Sequence, residues 1–141
     1  TGARRLVVEA DGGSRGNPGP AAYGAVLRDA DTGAVIAEEG TTIGVASNNV
    51  AEYSGLIAGL RLAAEHAPNA DIEVRMDSKL VVEQMSGRWK IKHPAMAELA
   101  AEAREVLTGT PVRFEWIPRE KNTRADACAN QAMDARASFR R

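Results

Sequence analysis

The sequence has few of the side chains that form disulfide bonds or zinc sites. Its 141 residues include one cysteine, Cys128, and two histidines, His66 and His93. A single thiol cannot form a disulfide within the chain, and this set is too small for an ordinary structural zinc site. A reducing compartment suits such a chain, so we expect a cytoplasmic protein.

The sequence also lacks membrane segments and an excess of one charge. No apolar run approaches the roughly 20 residues that a transmembrane helix needs, and the N-terminus lacks the charged-then-apolar pattern of a signal peptide. The 18 basic and 19 acidic residues nearly balance, so no overall positive field marks a nucleic-acid-binding protein. Any such function must rest on local patches.

Chain length and hydrophobic content predict one domain. With 44% hydrophobic residues, a chain of 141 residues can fill a single core but is too short for two ordinary domains. We expect the domain to span residues 1–136. The basic stretch 137–141 lacks core residues and is expected to be a tail or the start of a linker, as in a module taken from a longer protein.

The first third of the chain has the pattern of an antiparallel meander. Arg5–Ala10 is a β-branched run that the turn-rich stretch Asp11–Pro20 should stop, because its glycines and prolines disfavour regular structure. Two further strands are predicted at Ala21–Arg28 and Ala34–Thr42. Asp31-Thr32-Gly33 between them is a hairpin signal.

The remainder alternates helices with strands. From Asn49 apolar residues recur every three or four positions, which predicts a helix that ends near Pro68, with Asn48 or Asn49 as its N-cap. The later predicted elements are a strand Ile72–Met76, a helix Lys79–Met85, a helix Ala95–Leu107 that starts at Pro94, a strand Val112–Ile117 and a helix Arg124–Arg136. This order predicts an α/β fold with a five-stranded mixed sheet, antiparallel first and parallel later, with helices on its faces.

Four acidic residues occupy positions that solvated surface charge does not explain. Asp11 and Asp77 each end a predicted strand, while Glu52 and Asp126 lie in the first turns of predicted helices. The helix dipole favours an acid in a first turn, which accounts for Glu52 or Asp126 singly but not for four together. Clustered carboxylates repel one another unless a cation neutralises them. Their hard oxygens indicate Mg²⁺ or Mn²⁺ rather than zinc.

Four sequence blocks together are similar to a known family. They are EADGGSRGNPGPAAYGAVL (Glu9 to Leu27), SNNVAEYSGLIAGL (Ser47 to Leu60), VRMDSKLVVEQM (Val74 to Met85) and NTRADACANQA (Asn122 to Ala132). In this order they resemble the four motif blocks of type 1 ribonuclease H, and the likeness covers nearly the whole chain. Each block carries its expected acid, which makes the set far more specific than any single motif.

The resemblance implies an endonuclease with the ribonuclease H-like fold that cuts the RNA strand of RNA/DNA hybrids. Two Mg²⁺ ions, or Mn²⁺ in their place, would activate the attacking water and stabilise the leaving 3′ oxygen. Asp11 would bridge both ions, Glu52 and Asp77 would hold one side with the water, and Asp126 would complete the other. The products would carry a 5′-phosphate and a 3′-hydroxyl.

The resemblance also implies residues that read the hybrid, since discrimination of RNA must sense the 2′-hydroxyl in the minor groove. The implied substrate contacts include Asn17, Asn48 and Asn49 in the minor groove and Ser47 in a pocket for a DNA-strand phosphate, together with Gly13, Ser14 and Lys79. The glycine-rich loop could equally be an ordinary turn, and asparagines before a helix are also plain capping residues. The loop lacks the G-x-G-x-x-G spacing of dinucleotide-binding proteins, and the sequence has no Gly-Lys-Ser/Thr of a P-loop.

The sequence departs from well-known family members in two places. Where many carry an extra helix and a lysine-rich loop, this chain has only SGRWKIKHP, in which Trp89 and Lys90 could contact phosphates and bases. The alternative is that Trp89 plugs the core and the lysines form a solvated rim. The loop before Asp126 lacks the histidine found in many relatives, and Arg119 is the nearest substitute, unless Arg119 and Lys121 are only surface charge.

Two other functions remain open. One is a related nuclease, such as a junction resolvase or an integrase-like enzyme, which shares the clustered acids but not the asparagine-rich loops. The other is a noncatalytic hybrid-binding module, whose mark would be the loss of an acid. We expect a monomer. Some bacterial relatives are fused to a phosphatase-like domain, so the full-length protein could include a second C-terminal domain.

Overall fold

The computed structural model describes residues 4–141, so Thr1–Ala3 of the predicted domain lie outside the described residues. The elements in chain order are β1 (Arg5–Ser14), β2 (Gly19–Asp29), β3 (Val35–Ala46), α1 (Asn48–His66), β4 (Asp71–Met76), α2 (Lys79–Met85), α3 (Pro94–Val106), β5 (Val112–Trp116), α4 (Thr123–Ala135) and β6 (Phe139–Arg140). A short 3₁₀ turn, Arg119–Lys121, precedes α4.

All the strands of the described residues join one mixed sheet in the order β5-β4-β1-β2-β3-β6. Strands β1, β2 and β3 are antiparallel neighbours, whereas β4 runs parallel to β1 and β5 parallel to β4. The predicted mixed α/β sheet is therefore confirmed. Strand β1 lies at its centre, which explains why Leu6, Val7 and Val8 are all buried although they point to alternate faces.

The helices cover both faces of this sheet. Helix α1 packs on β1 and β2 and against α3, where Val8, Leu27 and Leu56 belong to the main core. Helix α4 packs on β2 and β3, and its Cys128 meets Val26 in a smaller cluster. The alternation of side chains along β2 separates the two clusters, since Val26 and Leu27 point in opposite directions. Among the helices of residues 4–141, none has the length and apolar character of a membrane span.

The prediction that Asp11–Pro20 would stop the first strand is wrong. Strand β1 continues to Ser14 and β2 begins at Gly19, so Asp11 lies within a strand. The glycines serve close packing here: a Cβ at Gly12 would lie 2.3 Å from the backbone carbonyl of Ala51 on α1. The glycine therefore permits α1 to approach the strand that carries Asp11.

The start of α1 also differs from the expectation. Its N-cap is Ser47, whose hydroxyl accepts a hydrogen bond from the Val50 N–H at 3.2 Å, rather than Asn48 or Asn49. The helix begins at Asn48, so Glu52 lies just beyond its first turn, not within it. The dipole account of Glu52 consequently loses force, because the favourable field is confined to the first turn.

The sheet has six strands rather than five, because residues in the expected tail form β6. Phe139 and Arg140 pair with β3, and the backbones of Arg141 and Glu38 exchange two hydrogen bonds, of 2.6 and 2.9 Å. The carboxylate of Glu38, which is 4% exposed, also accepts hydrogen bonds from Arg124 at 2.8 Å and from Arg141 at 3.0 Å. These contacts fasten the last residues to β3 and α4.

Candidate active site

Three carboxylates meet at one edge of the sheet. Strands β1 and β4 are parallel, and Ala10 is paired with Met76, so the residues that follow, Asp11 and Asp77, emerge side by side. Helix α1 adds Glu52, and one oxygen of each carboxylate lies within 4.8 Å of the others. We call Asp11, Glu52 and Asp77 the acid cluster. Asp77 directly follows β4 as predicted, whereas Asp11 lies within β1.

Backbone contacts hold Glu52 in place. The Gly12 N–H donates a 3.0 Å hydrogen bond to Glu52 Oε1, and this contact depends on the close approach of α1 to β1 at Gly12. The other oxygen, Oε2, is fully enclosed and has no hydrogen-bond partner among the described residues. A buried carboxylate oxygen without a partner is costly, so the site is incomplete without a proton or a cation.

Asp126 lies beside the acid cluster on the first turn of α4. It lines the same cavity, and its side chain is close enough to Asp11 to contribute to the raised pKa of that residue. Asn130, one turn later, donates a 3.2 Å hydrogen bond to Asp126 Oδ2. Helix α4 can approach because Gly24 on β2 has no side chain: a Cβ there would lie 2.1 Å from the Ala125 carbonyl oxygen.

The electrostatics of the acid cluster disfavour full ionisation. Burial, then repulsion by Glu52 and Asp77, raises the pKa of Asp11 to about 9. Burial also raises the pKa of Glu52 to about 7, with Asp77 adding to the shift and the Gly12 N–H opposing it. Such a set gains from a positive ion. Three hard oxygens and the unpartnered Oε2 therefore fit a divalent cation of the Mg²⁺ or Mn²⁺ type.

The acid cluster opens into a cavity of about 430 Å³. Besides Asp126, five residues predicted from the sequence join it in the lining: Gly13, Ser14, Asn48, Asn49 and Arg119. Arg119 is exposed and belongs to the 3₁₀ turn before α4, so its guanidinium is available to an anion that enters the cavity. The lining thus combines carboxylates with amides, a hydroxyl and a permanent cation.

The asparagines tie the β1–β2 connection to α1. Asn48 Oδ1 accepts hydrogen bonds from the Ser14 N–H at 2.8 Å and the Ser14 hydroxyl at 3.1 Å, and Asn17 Oδ1 accepts from the Asn48 N–H at 3.0 Å. Asn17 and Ser47 are not part of the cavity lining and support the residues that are. Since Ser47 is the cap, the exposed Asn49 is not needed for capping.

The basic segment after α2 lies apart from the cavity. Trp89 is 45% exposed, so the alternative that it plugs the core is wrong. Lys90 is exposed as well, and Arg88 is engaged with Glu83 through hydrogen bonds of 2.7 and 2.8 Å. Lys79, at the start of α2, places its ammonium 5.7 Å from the ring centre of the exposed Trp116.

Sequence reasoning missed two residues that contact Asp77. Trp116 on β5 donates its indole N–H to the Asp77 backbone carbonyl at 3.2 Å, and Asn122 donates its side-chain amide to Asp77 Oδ1 at 3.0 Å. The sequence signal for Asn122 was its place before α4, which indicates only a cap. It makes no side-chain capping bond.

Comparisons with known proteins agree with this arrangement. Residues 9–132 match the family described as reverse transcriptase-like. The bifunctional protein Rv2228c of Mycobacterium tuberculosis is 56% identical over 134 residues, which cover 94% of this chain but 36% of that protein. The chain therefore spans about a third of the length of this relative.

Solved structures provide two further comparisons. Ribonuclease H1 of the halophilic archaeon Halobacterium salinarum has a TM-score of 0.88 and 48% identity, covering 93% of this chain and 98% of that one. LC11-RNase H1, solved in complex with an RNA/DNA hybrid, has a TM-score of 0.86 and 40% identity, covering 93% and 98%.

Proposed function

The chain belongs to the type 1 ribonuclease H family, and on that premise we propose that it hydrolyses the RNA strand of RNA/DNA hybrids. The observation that carries the proposal is the acid cluster, whose carboxylate oxygens lie within 4.8 Å of one another in an open cavity. The hybrid bound to LC11-RNase H1, which shares this fold, supports the choice of substrate.

Asp11, Glu52, Asp77 and Asp126 would hold two Mg²⁺ ions, for which Mn²⁺ could substitute. Bound there, the cations would supply a deprotonated water near neutral pH and offset negative charge on the leaving oxygen. The described residues support this assignment through the enclosed Glu52 Oε2, which has no protein partner, and through the raised pKa of Asp11, which reflects burial and then repulsion by the neighbouring carboxylates.

Other side chains of the cavity would bind and orient the RNA strand. Arg119 would contact a phosphate near the scissile bond, because its guanidinium is planar and permanently charged. The guanidinium has five N–H donors and no acceptor, so it would bind a phosphate and not act as a general base. Water would attack the phosphorus directly, so no protein nucleophile is needed. The bond from phosphorus to the 3′ oxygen would break, and the products would carry a 5′-phosphate and a 3′-hydroxyl.

The rim of the cavity would distinguish RNA from DNA. Gly13, Ser14, Asn48 and Asn49 offer backbone and amide groups that can reach 2′-hydroxyls across a minor groove. Asn48 Oδ1 is engaged with Ser14, which leaves its amide N–H groups to face the substrate. Asn17 would hold Asn48 in this orientation, and Ser47 would lie near a DNA-strand phosphate.

Residues outside the cavity would bind the hybrid farther from the cut. Trp89 and Lys90 present an exposed ring and a charge after α2, and Lys79 lies closer, at the N-terminus of that helix. Contacts of this kind increase affinity and its dependence on salt without touching the reacting phosphate. They take the place of the basic extension that this chain lacks.

The proposal is tested by presenting end-labelled substrates of one sequence: an RNA/DNA hybrid, duplex DNA, duplex RNA and a four-way junction. With Mg²⁺, only the RNA strand of the hybrid should be cut, and EDTA or the Asp77→Asn substitution should stop the reaction. Fragment mobility against standards should show 5′-phosphate ends. Cleavage of the junction would favour the related nuclease, and binding without cleavage would favour the noncatalytic module.

A further inference from the structure

Asn122 is a buried polar residue next to the acid cluster. It is 1% exposed and lies between the 3₁₀ turn and α4. Its side-chain amide donates two hydrogen bonds, one to the Ala10 backbone carbonyl at 2.9 Å and one to Asp77 Oδ1 at 3.0 Å. Both amide hydrogens are thus donated, one to an acceptor on β1 and one to the residue that follows β4.

These contacts join segments that carry three of the four acids. Ala10 directly precedes Asp11 on β1, and Asp77 directly follows β4. The backbone carbonyl of Asn122 accepts a 3.2 Å hydrogen bond from the Asp126 N–H in the first turn of α4. One residue therefore connects β1 and the end of β4 with the first turn of α4.

The chemistry of a primary amide suits this position. Asn122 supplies two donors without charge, so it can fix an oxygen of Asp77 without competing with a cation for the other. Its own Oδ1 is buried and has no partner among residues 4–141. If the amide were turned over, Oδ1 would face the Ala10 carbonyl and the Asp77 carboxylate, which are both acceptors. The orientation with the NH₂ group towards them is therefore the favoured one.

We propose that Asn122 is a positioning residue that orients the Asp77 carboxylate and sets its spacing from Asp11 and Asp126 for divalent cation binding. This inference rests on the proposed function, since it concerns the same acids. Partners that hold metal ligands in place affect metal affinity or activity by about 10- to 100-fold when they are removed. A residue that only stabilised the fold would change neither once the protein is folded.

The test measures Mn²⁺ binding by calorimetry without substrate, and separately kcat and KM on an RNA/DNA hybrid with Mg²⁺. Asn122→Ala removes both donors, and Asn122→Asp keeps the shape but replaces donors with a negative charge. We expect Mn²⁺ affinity and kcat to fall by about tenfold or more in Asn122→Ala, and kcat to fall by as much in Asn122→Asp, with KM changed less than about threefold. Raised Mg²⁺ should partly restore kcat in Asn122→Ala.

Glu38→Gln is the matched control, because it removes buried polar contacts of α4 away from the acid cluster. If folded Asn122→Ala shows wild-type Mn²⁺ affinity and kcat and loses only thermal stability, as this control should, the positioning role is overturned. A wild type that binds Mn²⁺ but cuts no hybrid contradicts the proposed function alone. In that case weaker Mn²⁺ binding by Asn122→Ala still supports the positioning role.

A measurement on the wild type covers the possibility that the variants do not fold. The Asn122 side-chain amide should give an NMR signal that exchanges slowly with solvent and shifts as Mg²⁺ is added. A fast-exchanging signal that is unaffected by saturating Mg²⁺ would overturn the proposal, because the amide would then not be held against Asp77.

Discussion

Carboxylates that are wholly or partly buried occur in two opposite environments in this molecule. In the acid cluster, Asp11 and Glu52 face other acids, and their pKa values are raised to about 9 and about 7. On β3, Glu38 receives hydrogen bonds from Arg124 and Arg141 and lies 3.5 Å from the Cys128 thiol. The Arg124 hydrogen bond is the main reason that the pKa of Glu38 is lowered to about 2.

The opposite pKa shifts distinguish Glu38, which stabilises the fold, from the carboxylates of the acid cluster, which are suited to binding a cation. Glu38 has its countercharges within the chain, so its ionised form stabilises the fold. The acid cluster has no such compensation from the described residues and gains it only from protons or added cations. The sign of each pKa shift therefore distinguishes the two regions.

The largest effect is expected when a charge is removed from the acid cluster. Asp77→Asn and Asp11→Asn should each lower hybrid cleavage by more than about 100-fold, because the shape is kept while a metal-binding charge is lost. Metal-free thermal stability should hold or rise, since repulsion among the acids is relieved. Activity above a few per cent of wild type in either variant, measured by gel assay with Mg²⁺, would refute the site.

Removing the charge of Glu38 should instead lower stability and leave activity nearly unchanged. Glu38→Gln should lower the free energy of unfolding by about 1.5–3 kcal/mol, the range for hydrogen bonds to charged groups, while kcat stays within about twofold. Because the folded pKa of Glu38 is depressed, its contribution is complete above pH 4.5 and is lost as pH falls towards 2. Urea unfolding at pH 7 and pH 3 measures both. Equal stability of mutant and wild type at pH 7 would show that the arginine contacts contribute nothing.

Arg119 lines the cavity next to the acid cluster, whereas the arginines that contact Glu38 are Arg124 and Arg141. Across residues 4–141, it forms no ion pair with a carboxylate of the chain. Arg119→Ala should lower kcat severalfold, less than the loss of a metal ligand, and Arg119→Lys should preserve part of the activity. Steady-state kinetics with wild-type kcat and KM in Arg119→Ala would identify it as surface charge.

The smallest expected effect lies outside both regions. Changing Lys90 and Lys92 together to alanine should raise KM for the hybrid and flatten the salt dependence of binding, with kcat nearly intact. Binding measured at several salt concentrations gives the slope. A slope equal to that of the wild type would assign these lysines to the solvated surface.

Local patterns were sufficient for much of the fold and for the acids. The β-branched runs predicted β1 and β4, and parallel neighbours bring Asp11 and Asp77 to one edge. The helix periodicity that predicted α1 also assigned Glu52 to that helix. These features depend on residues close together in the sequence, which is why they were predictable.

Other features depend on contacts between distant residues. Asn122 and Ala10 are 112 residues apart, and Glu38 and Arg141 are 103 apart, so neither hydrogen bond has a local signal. Strand β6 consists of two residues, too few for an alternating pattern, and exists because β3 offers an edge. The glycines that were expected to end β1 instead make room for α1.

The most direct test of the acid cluster is the unfolding free energy with and without Mg²⁺. Raised folded pKa values mean that the folded protein holds more protons than the unfolded chain, so metal-free stability should fall as pH rises from about 4 towards about 9. At pH 8, Mg²⁺ at ten times its Kd should restore about 1.4 kcal/mol in the wild type and in Glu38→Gln, but much less in Asp11→Asn. Equal stabilisation of all three proteins, or none in the wild type, would contradict the claim that this cluster is built for a cation.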